Sequence, residues 1–443
     1  MRFYSRKKEL AELKRMQKLS FADHSRLTVV TGRKRIGKTS LIMKSSVKKL
    51  PTVYLLISRK TEAILASEFI PIINQSLNTF VPTEIRTFRS LFQYLMELAS
   101  QQPFNLVIDE FQEFHNINKS VHSDMKNIWD TYRKKSKMNL IVSYSTYPLV
   151  YGIFQNDKEN LLSGADSIIE LSAFDSTTLK QIMDDYNPRH NNDDLLALYT
   201  FTGGVPKYVA WFCNNHSLTV DAMISFMVRE DSPFIDEGKR LFVEEFRRNY
   251  ATYFSILSAV SGGINTHQEI EATLGDKTIN GQISKLIMDY NILVRQRPIL
   301  AKGEPQPLVR YEIQDNFVRF WFNYLDRHRS LIETKNFAAL RDIIKSDYPN
   351  YSVLMLERYF KQKFAESHKY DAIGSWWELK DNQNRIDIVA LKLGRNNQAI
   401  VVEVRRNKIN YKPSLLAKKA EHFVKKLLPG YRVEVSCLSL KDM

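Results

Sequence analysis

Cysteine is almost missing from this chain: Cys213 and Cys437 are the only two in 443 residues. That excludes a disulfide framework and any zinc site built on cysteine pairs, and it fits a reducing cytoplasm. No apolar run reaches the roughly 20 residues of a membrane span. The opening Met1-Arg2-Phe3-Tyr4-Ser5-Arg6 lacks the apolar stretch of a signal peptide. The expectation is a cytoplasmic protein with no membrane partner. Acidic residues are the minority, 49 Asp and Glu against 64 Lys and Arg, for a formal charge of +15. Such an excess is either a surface kept basic for solubility or the footprint of a polyanionic partner, most economically nucleic acid. Glycine is scarce too, 15 in all, so two glycines at a fixed spacing before a lysine carry information.

What is present begins with that pair. Gly32-Arg33-Lys34-Arg35-Ile36-Gly37-Lys38-Thr39 is a complete G-x-x-x-x-G-K-[ST] loop. Arg26 to Thr31 reads as a short buried strand before it, and Ser40-Leu41-Ile42-Met43-Lys44 begins a helix after it. A loop of this form turns successive backbone N–H groups, from Gly32 through Ser40, and the helix N-terminus toward phosphates. Lys38 is expected to reach the β- and γ-phosphates and the Thr39 hydroxyl to ligate Mg²⁺, so ATP and Mg²⁺ are the expected cofactors.

Four more β-rich runs alternate with helical ones: Thr52 to Ser58, Phe104 to Ile108, Asn139 to Tyr144 and Ser167 to Leu171. This is the pattern of an α/β fold whose parallel sheet is covered on both faces. The run Leu106-Val107-Ile108 delivers Asp109 and Glu110 to the C-terminal edge of the sheet, where ligands of open α/β sheets bind. Beside a P-loop this pair reads as a Walker B motif, with Asp109 in the Mg²⁺ shell and Glu110 polarising the attacking water. Ser145 or Thr146, ending the fourth strand, is either a γ-phosphate sensor or a turn hydroxyl.

Having a strand between the P-loop strand and the Asp-Glu strand matches additional-strand P-loop ATPases. Phe3-Tyr4-Ser5-Arg6-Lys7-Lys8-Glu9-Leu10, the P-loop, Ile57 to Glu62, Asp109-Glu110 and Tyr199 to Tyr208 with its Gly-Gly-Val-Pro resemble the archaeal and bacterial AAA-like ATPases related to the STAND class. The resemblance implies an opening segment near the adenine and a helical lid carrying Gly-Gly-Val-Pro. Relatives usually have Pro-Leu-x-Gly-Arg where this chain has Leu161-Leu162-Ser163-Gly164-Ala165. If that arginine completes a transition-state clamp, turnover here is slow or needs a partner.

The boundaries expected are an ATPase domain over 1–175, a helical lid and connector over 176–245, a winged helix over 246–330 and a C-terminal domain over 331–443. The winged helix rests on three helical patterns followed by Ile292 to Arg295 and Leu308 to Ile313 as a hairpin. Its candidate DNA contacts are Lys277, Thr278, Asn280, Gln282 and Lys285 on the third helix and Arg295, Arg297 and Arg310 on the wing. The aromatic stretch from Asp315 to Leu325 reads as a packing helix.

From Tyr351 on, the order is helix (Ser352 to Phe364), strands Ile373 to Leu379, Arg385 to Leu391 and Ala399 to Val404, helix (Ser414 to Leu428) and strand (Arg432 to Leu438). This order resembles the PD-(D/E)XK nuclease fold, a restriction-endonuclease-like α/β domain. Asp387 and Glu403, side by side on adjacent strands, suit a metal at a scissile phosphate, with Glu357 and Arg405 as accessories. Arg405 stands where active nucleases commonly have lysine, and a guanidinium cannot serve as a base. Arg405, Arg406, Lys408, Lys412, Lys418, Lys419, Lys425 and Lys426 suggest a phosphate-backbone surface. Of Trp376 and Trp377, strand alternation points one inward and one outward.

Two functions remain open from sequence. One is an ATP-hydrolysing switch or motor acting on DNA through the winged helix and nuclease-like domain. The other is a regulatory switch with little turnover, whose inactive nuclease-like domain binds a protein partner.

Overall fold

The computed structural model describes residues 1–45, 50–145, 161–246, 250–301, 309–378, 384–393 and 397–443. Thr146, Leu308 and Leu379, named above, lie outside them. The chain divides into two compact units, Ser5–Ser172, and Met1–Tyr4 with Ala173–Met443.

The first unit is built on strands β1 (Arg26–Thr31), β2 (Thr52–Leu56), β3 (Phe104–Asp109), β4 (Met138–Tyr144) and β5 (Ser167–Glu170). All pair in parallel, in the order β2-β3-β4-β1-β5. Every residue of β3 and β4 is buried, as expected for central strands covered on both faces. The strand that separates β1 from β3 in the sheet is β4, whereas β2, which separates them in sequence, lies at an edge. Covering helices show the 3.6-residue period. Phe88–Ala99 buries Phe88, Leu91, Phe92, Leu95, Met96 and Ala99 and is capped by Thr87, whose Oγ1 accepts from the Ser90 N–H. At the N-terminal end of the strands, Asn105 Oδ1 accepts from Gln17 Nε2 at 2.8 Å and Asn139 Nδ2 at 2.9 Å. The two donors are thereby satisfied inside the fold, while the buried Asn139 Oδ1 has no hydrogen-bond partner among the described residues.

In the second unit, helix Asn192–Thr202 opens with an Asn191/Asp194 capping box and ends at Gly203, and Pro206 occupies the first turn of helix Pro206–Asn214. Helices Tyr250–Ser261, His267–Thr273 and Asn280–Met288 follow, then the antiparallel pair β6 (Leu293–Gln296) and β7 (Arg310–Ile313). The aromatic stretch is helical, turning from α at Asn316–Phe320 to a π-helical turn at Trp321–Asp326, and it buries Phe317, Phe320, Trp321, Phe322 and Tyr324. Gly238 lets a neighbouring helix approach it: a Cβ there would stand 2.2 Å from the Trp321 ring. Gly238→Ala is therefore expected to destabilise this unit by about 1–3 kcal/mol through overpacking, read as a lower urea midpoint.

The last sheet contains β8 (Ala372–Trp376), β9 (Ile386–Lys392), β10 (Gln398–Val404) and β11 (Arg432–Leu438), ordered β11-β10-β9-β8. Only β10 and β11 are parallel, and the helix Pro413–Leu427 makes the crossover they require. The helix leading into this sheet is longer than the sequence reading, running from Phe337 to Glu366 with Pro349 inside it. Trp376 and Trp377 are both buried, because β8 ends at Trp376 and alternation does not extend to its successor.

Candidate nucleotide-binding site

The loop after β1 owes its shape to a residue without a side chain. Gly32 has φ +145°, and a Cβ there would lie 2.6 Å from the Leu171 carbonyl oxygen. Arg35 and Gly37 also have positive φ, at +71° and +93°. Ile36 is buried and anchors the loop, while Arg33, Lys34 and Arg35 are half-buried. Helix Lys38–Ser45 starts where the loop ends, and Thr39 and Ser40 are exposed on its first turn.

Lys38 points back into the loop. Its Nζ donates to the carbonyl oxygens of Gly32 at 2.9 Å and Arg33 at 3.1 Å. Burial pushes its pKa down to about 8, against the opposing pull of Glu110 and Asp109.

The end of β3 supplies the acids. Asp109 is buried, and four donors saturate its carboxylate. Oδ2 accepts from Thr39 Oγ1 at 2.7 Å and Tyr54 Oη at 2.5 Å. Oδ1 accepts from the Glu110 N–H at 3.0 Å and from Ser143 Oγ. Burial alone would raise this pKa, but hydrogen bonds from Ser143, Tyr54, Thr39 and the Glu110 amide outweigh it and hold the group below the usual carboxylate range. Glu110 has φ +57°, which turns its side chain off the strand axis. Its Oε1 accepts from Ser145 Oγ at 2.8 Å and its Oε2 from Gln112 Nε2. Gln112 Oε1 in turn accepts from the Ser145 N–H at 3.0 Å.

The structure thus gathers Gly32 to Ser40, Asp109, Glu110 and Ser145 at one edge of the parallel sheet. Ser145 Oγ donates to Glu110 Oε1 here. Tyr54, Ser143 and Gln112 were given no role from sequence. The available signal was a tyrosine amid Val53, Leu55 and Leu56 of an edge strand, two residues short of the position that pairs with Asp109. Tyr54→Phe removes one charged hydrogen bond from a buried carboxylate. It is expected to cost about 1.5–3 kcal/mol, measured as urea unfolding of the first unit.

In the second unit, Asp387 and Glu403 lie on the paired strands β9 and β10, with Glu357 facing them from helix Phe337–Glu366. All three are engaged by cations of this chain: Glu357 by Lys361 and Arg385, Asp387 by Arg385, and Glu403 by Arg405. Burial first, then the nearby Glu357 charge, raises the Asp387 pKa. The basic series is also smaller than it reads in sequence. Arg406 pairs with Asp193 at 2.6 Å and lies over the Tyr348 ring, Lys408 pairs with Asp442 at 2.9 Å, and Lys426 with Glu378 at 2.8 Å. Lys412, Lys418 and Lys425 remain exposed. On the hairpin, Arg310 lies over the Trp377 ring at 4.9 Å, which makes it a packing residue.

Residues 3–212 match an ATPase domain found predominantly in Archaea, and residues 321–419 match a domain of archaeal and bacterial proteins of unknown function. An uncharacterized protein of Methanocaldococcus jannaschii is 27% identical over 411 residues, covering 89% of this chain and 86% of its own. Among solved structures, a Walker-type ATPase of Pyrococcus abyssi shares the fold with a TM-score of 0.51 and 18% identity, covering 72% of this chain and 96% of that one. The ORC2 protein of Aeropyrum pernix, solved with ADPNP and ADP, aligns with a TM-score of 0.46 at 12% identity, over 75% of this chain and 95% of that one.

Proposed function

We propose that this chain is a Mg²⁺-dependent ATPase whose first unit hydrolyses ATP and whose second unit carries a DNA-binding winged helix and a nuclease-like sheet. The carrying observation is the pairing of Thr39 Oγ1 with Asp109 Oδ2 at 2.7 Å, beside Lys38 and Glu110. Two hard oxygens so placed suit Mg²⁺, which takes few protein ligands and completes its shell with water and phosphate.

Thr39 and Asp109 would hold the cation, which when bound neutralises charge across the β- and γ-phosphates. Lys38 leaves the loop carbonyls for the same phosphates. Glu110 orients the attacking water and accepts its proton as the bond from γ-phosphorus to the β,γ-bridging oxygen breaks. Before that, Glu110 must leave its hydrogen bonds with Ser145 and Gln112. No arginine stands at Ala165, which fits slow turnover.

For DNA, helix Asn280–Met288 leaves Asn280 and Lys285 exposed, after the exposed Lys277 and Thr278, and Arg295 and Arg297 are exposed beyond it. The test is phosphate release by the full chain with Mg²⁺, with EDTA and with duplex DNA, beside a salt titration of DNA binding. The reading expects release that EDTA abolishes and affinity that falls steeply with salt. Release indifferent to EDTA, or affinity indifferent to salt, rejects the corresponding half. The paired acids Glu403 and Glu357 favour a second reading of the output, in which the nuclease-like sheet is inert and binds a partner.

A further inference from the structure

The nuclease-like reading of the last sheet, on which this inference rests, implies a divalent cation among Glu357, Asp387 and Glu403. The side chains present do not fit one. Arg385 Nη2 lies 2.6 Å from Glu357 Oε2, and its Nε lies 3.6 Å from Asp387 Oδ1, so one guanidinium spans two of the three acids. The other Glu357 oxygen takes Lys361 Nζ at 2.6 Å, an ammonium that also reaches Ser375 Oγ at 2.5 Å. The other Asp387 oxygen accepts the Val404 N–H at 2.9 Å. Glu403 Oε1 receives both Nε and Nη2 of Arg405, at 2.6 and 2.5 Å.

Three carboxylates therefore face three cations, Lys361, Arg385 and Arg405, and the cluster is formally neutral. It offers no net negative charge to hold a divalent ion, which could bind only if an arginine left. A guanidinium stays protonated at every physiological pH, and Glu357 is buried, so removing its partner would strand a charge.

We propose that Arg385 is a built-in counter-ion in the cation position, which closes this sheet to divalent metal and turns the acids into a fastening. The fastening joins helix Phe337–Glu366 to β9. The same helix holds β7 through the next residue, Arg358, which donates to Glu312 Oε2 at 3.0 Å and the Ile313 carbonyl at 2.8 Å. Helix, hairpin and sheet are thus tied by two successive residues, Glu357 and Arg358. No phosphodiester cleavage is expected from this domain.

The test is Mn²⁺ titration of the full, nucleotide-free chain, with free Mn²⁺ read by electron paramagnetic resonance. Wild type and Asp387→Asn are expected to bind the same number of ions. Arg385→Met is expected to gain a site that Arg385→Met with Asp387→Asn loses again. An Asp387-dependent site in wild type overturns the proposal, as does a folded Arg385→Met that gains nothing. If Arg385→Met does not fold, the comparison of wild type with Asp387→Asn decides. ATP hydrolysis is measured on the same wild-type sample: hydrolysis together with Asp387-dependent Mn²⁺ binding sinks only this inference, and absent hydrolysis without such binding sinks only the ATPase reading.

Discussion

Glu110→Gln is expected to slow ATP hydrolysis roughly 10²–10⁴-fold, the range for losing a positioned general base, while ATP affinity changes little. The substitution keeps the size and one acceptor oxygen, so the hydrogen bond from Ser145 has a counterpart. What it removes is the negative charge that takes a proton from water. Phosphate release at saturating ATP and nucleotide affinity by fluorescence titration separate the two effects. Equal hydrolysis in the two proteins would take the base role away from Glu110.

Lys38→Ala is expected to weaken ATP binding by about 10- to 150-fold, corresponding to about 1.5–3 kcal/mol for a hydrogen bond to a charged group. The same lysine gives binding a pH dependence whose sign follows from its environment. In the empty site its pKa is depressed from 10.5 to about 8, so between these values the folded chain holds fewer protons than the unfolded one. The empty first unit therefore gains stability from this group as pH rises from about 8 toward 10.5. Phosphates favour the ammonium form, so ATP affinity falls as pH rises above about 8, and binding in that window takes up a proton. Calorimetry at pH 9 in two buffers of different ionisation enthalpy measures that uptake. Lys38→Ala should abolish it.

On the proposed reading, hydrolysis requires rearrangement of the site. Lys38 is bound to its own loop, Asp109 is saturated by four donors, and Glu110 is held by Ser145 and Gln112. Each group that would touch nucleotide already has a partner supplied by the chain. Hydrogen bonds satisfied in the empty state keep buried charges tolerable, and they are exchanged, not created, when phosphate enters.

Much of the first unit was legible in sequence because its signals are local. A strand, two glycines, a lysine and a threonine occupy consecutive positions, and an apolar run ending in two acids needs no distant information to be read. The strand boundaries of β1, β3, β4 and β11 fall within a residue or two of the runs that announce them. What depended on distant residues was not legible. Tyr54 meets Asp109 only because β2 and β3 pair in one register. The basic residues after Glu403 look alike in sequence, yet Arg406 finds Asp193 from 213 positions away. The acids at 357, 387 and 403 could be named as a set from strand order, but not that Arg385 stands among them. Sequence by itself determined where the glycine loop and the paired carboxylates must be, since loop conformation and strand pattern follow from neighbouring residues. Only the tertiary structure decided which charges are still available, because a charge is neutralised by whatever the fold places within a few ångströms of it.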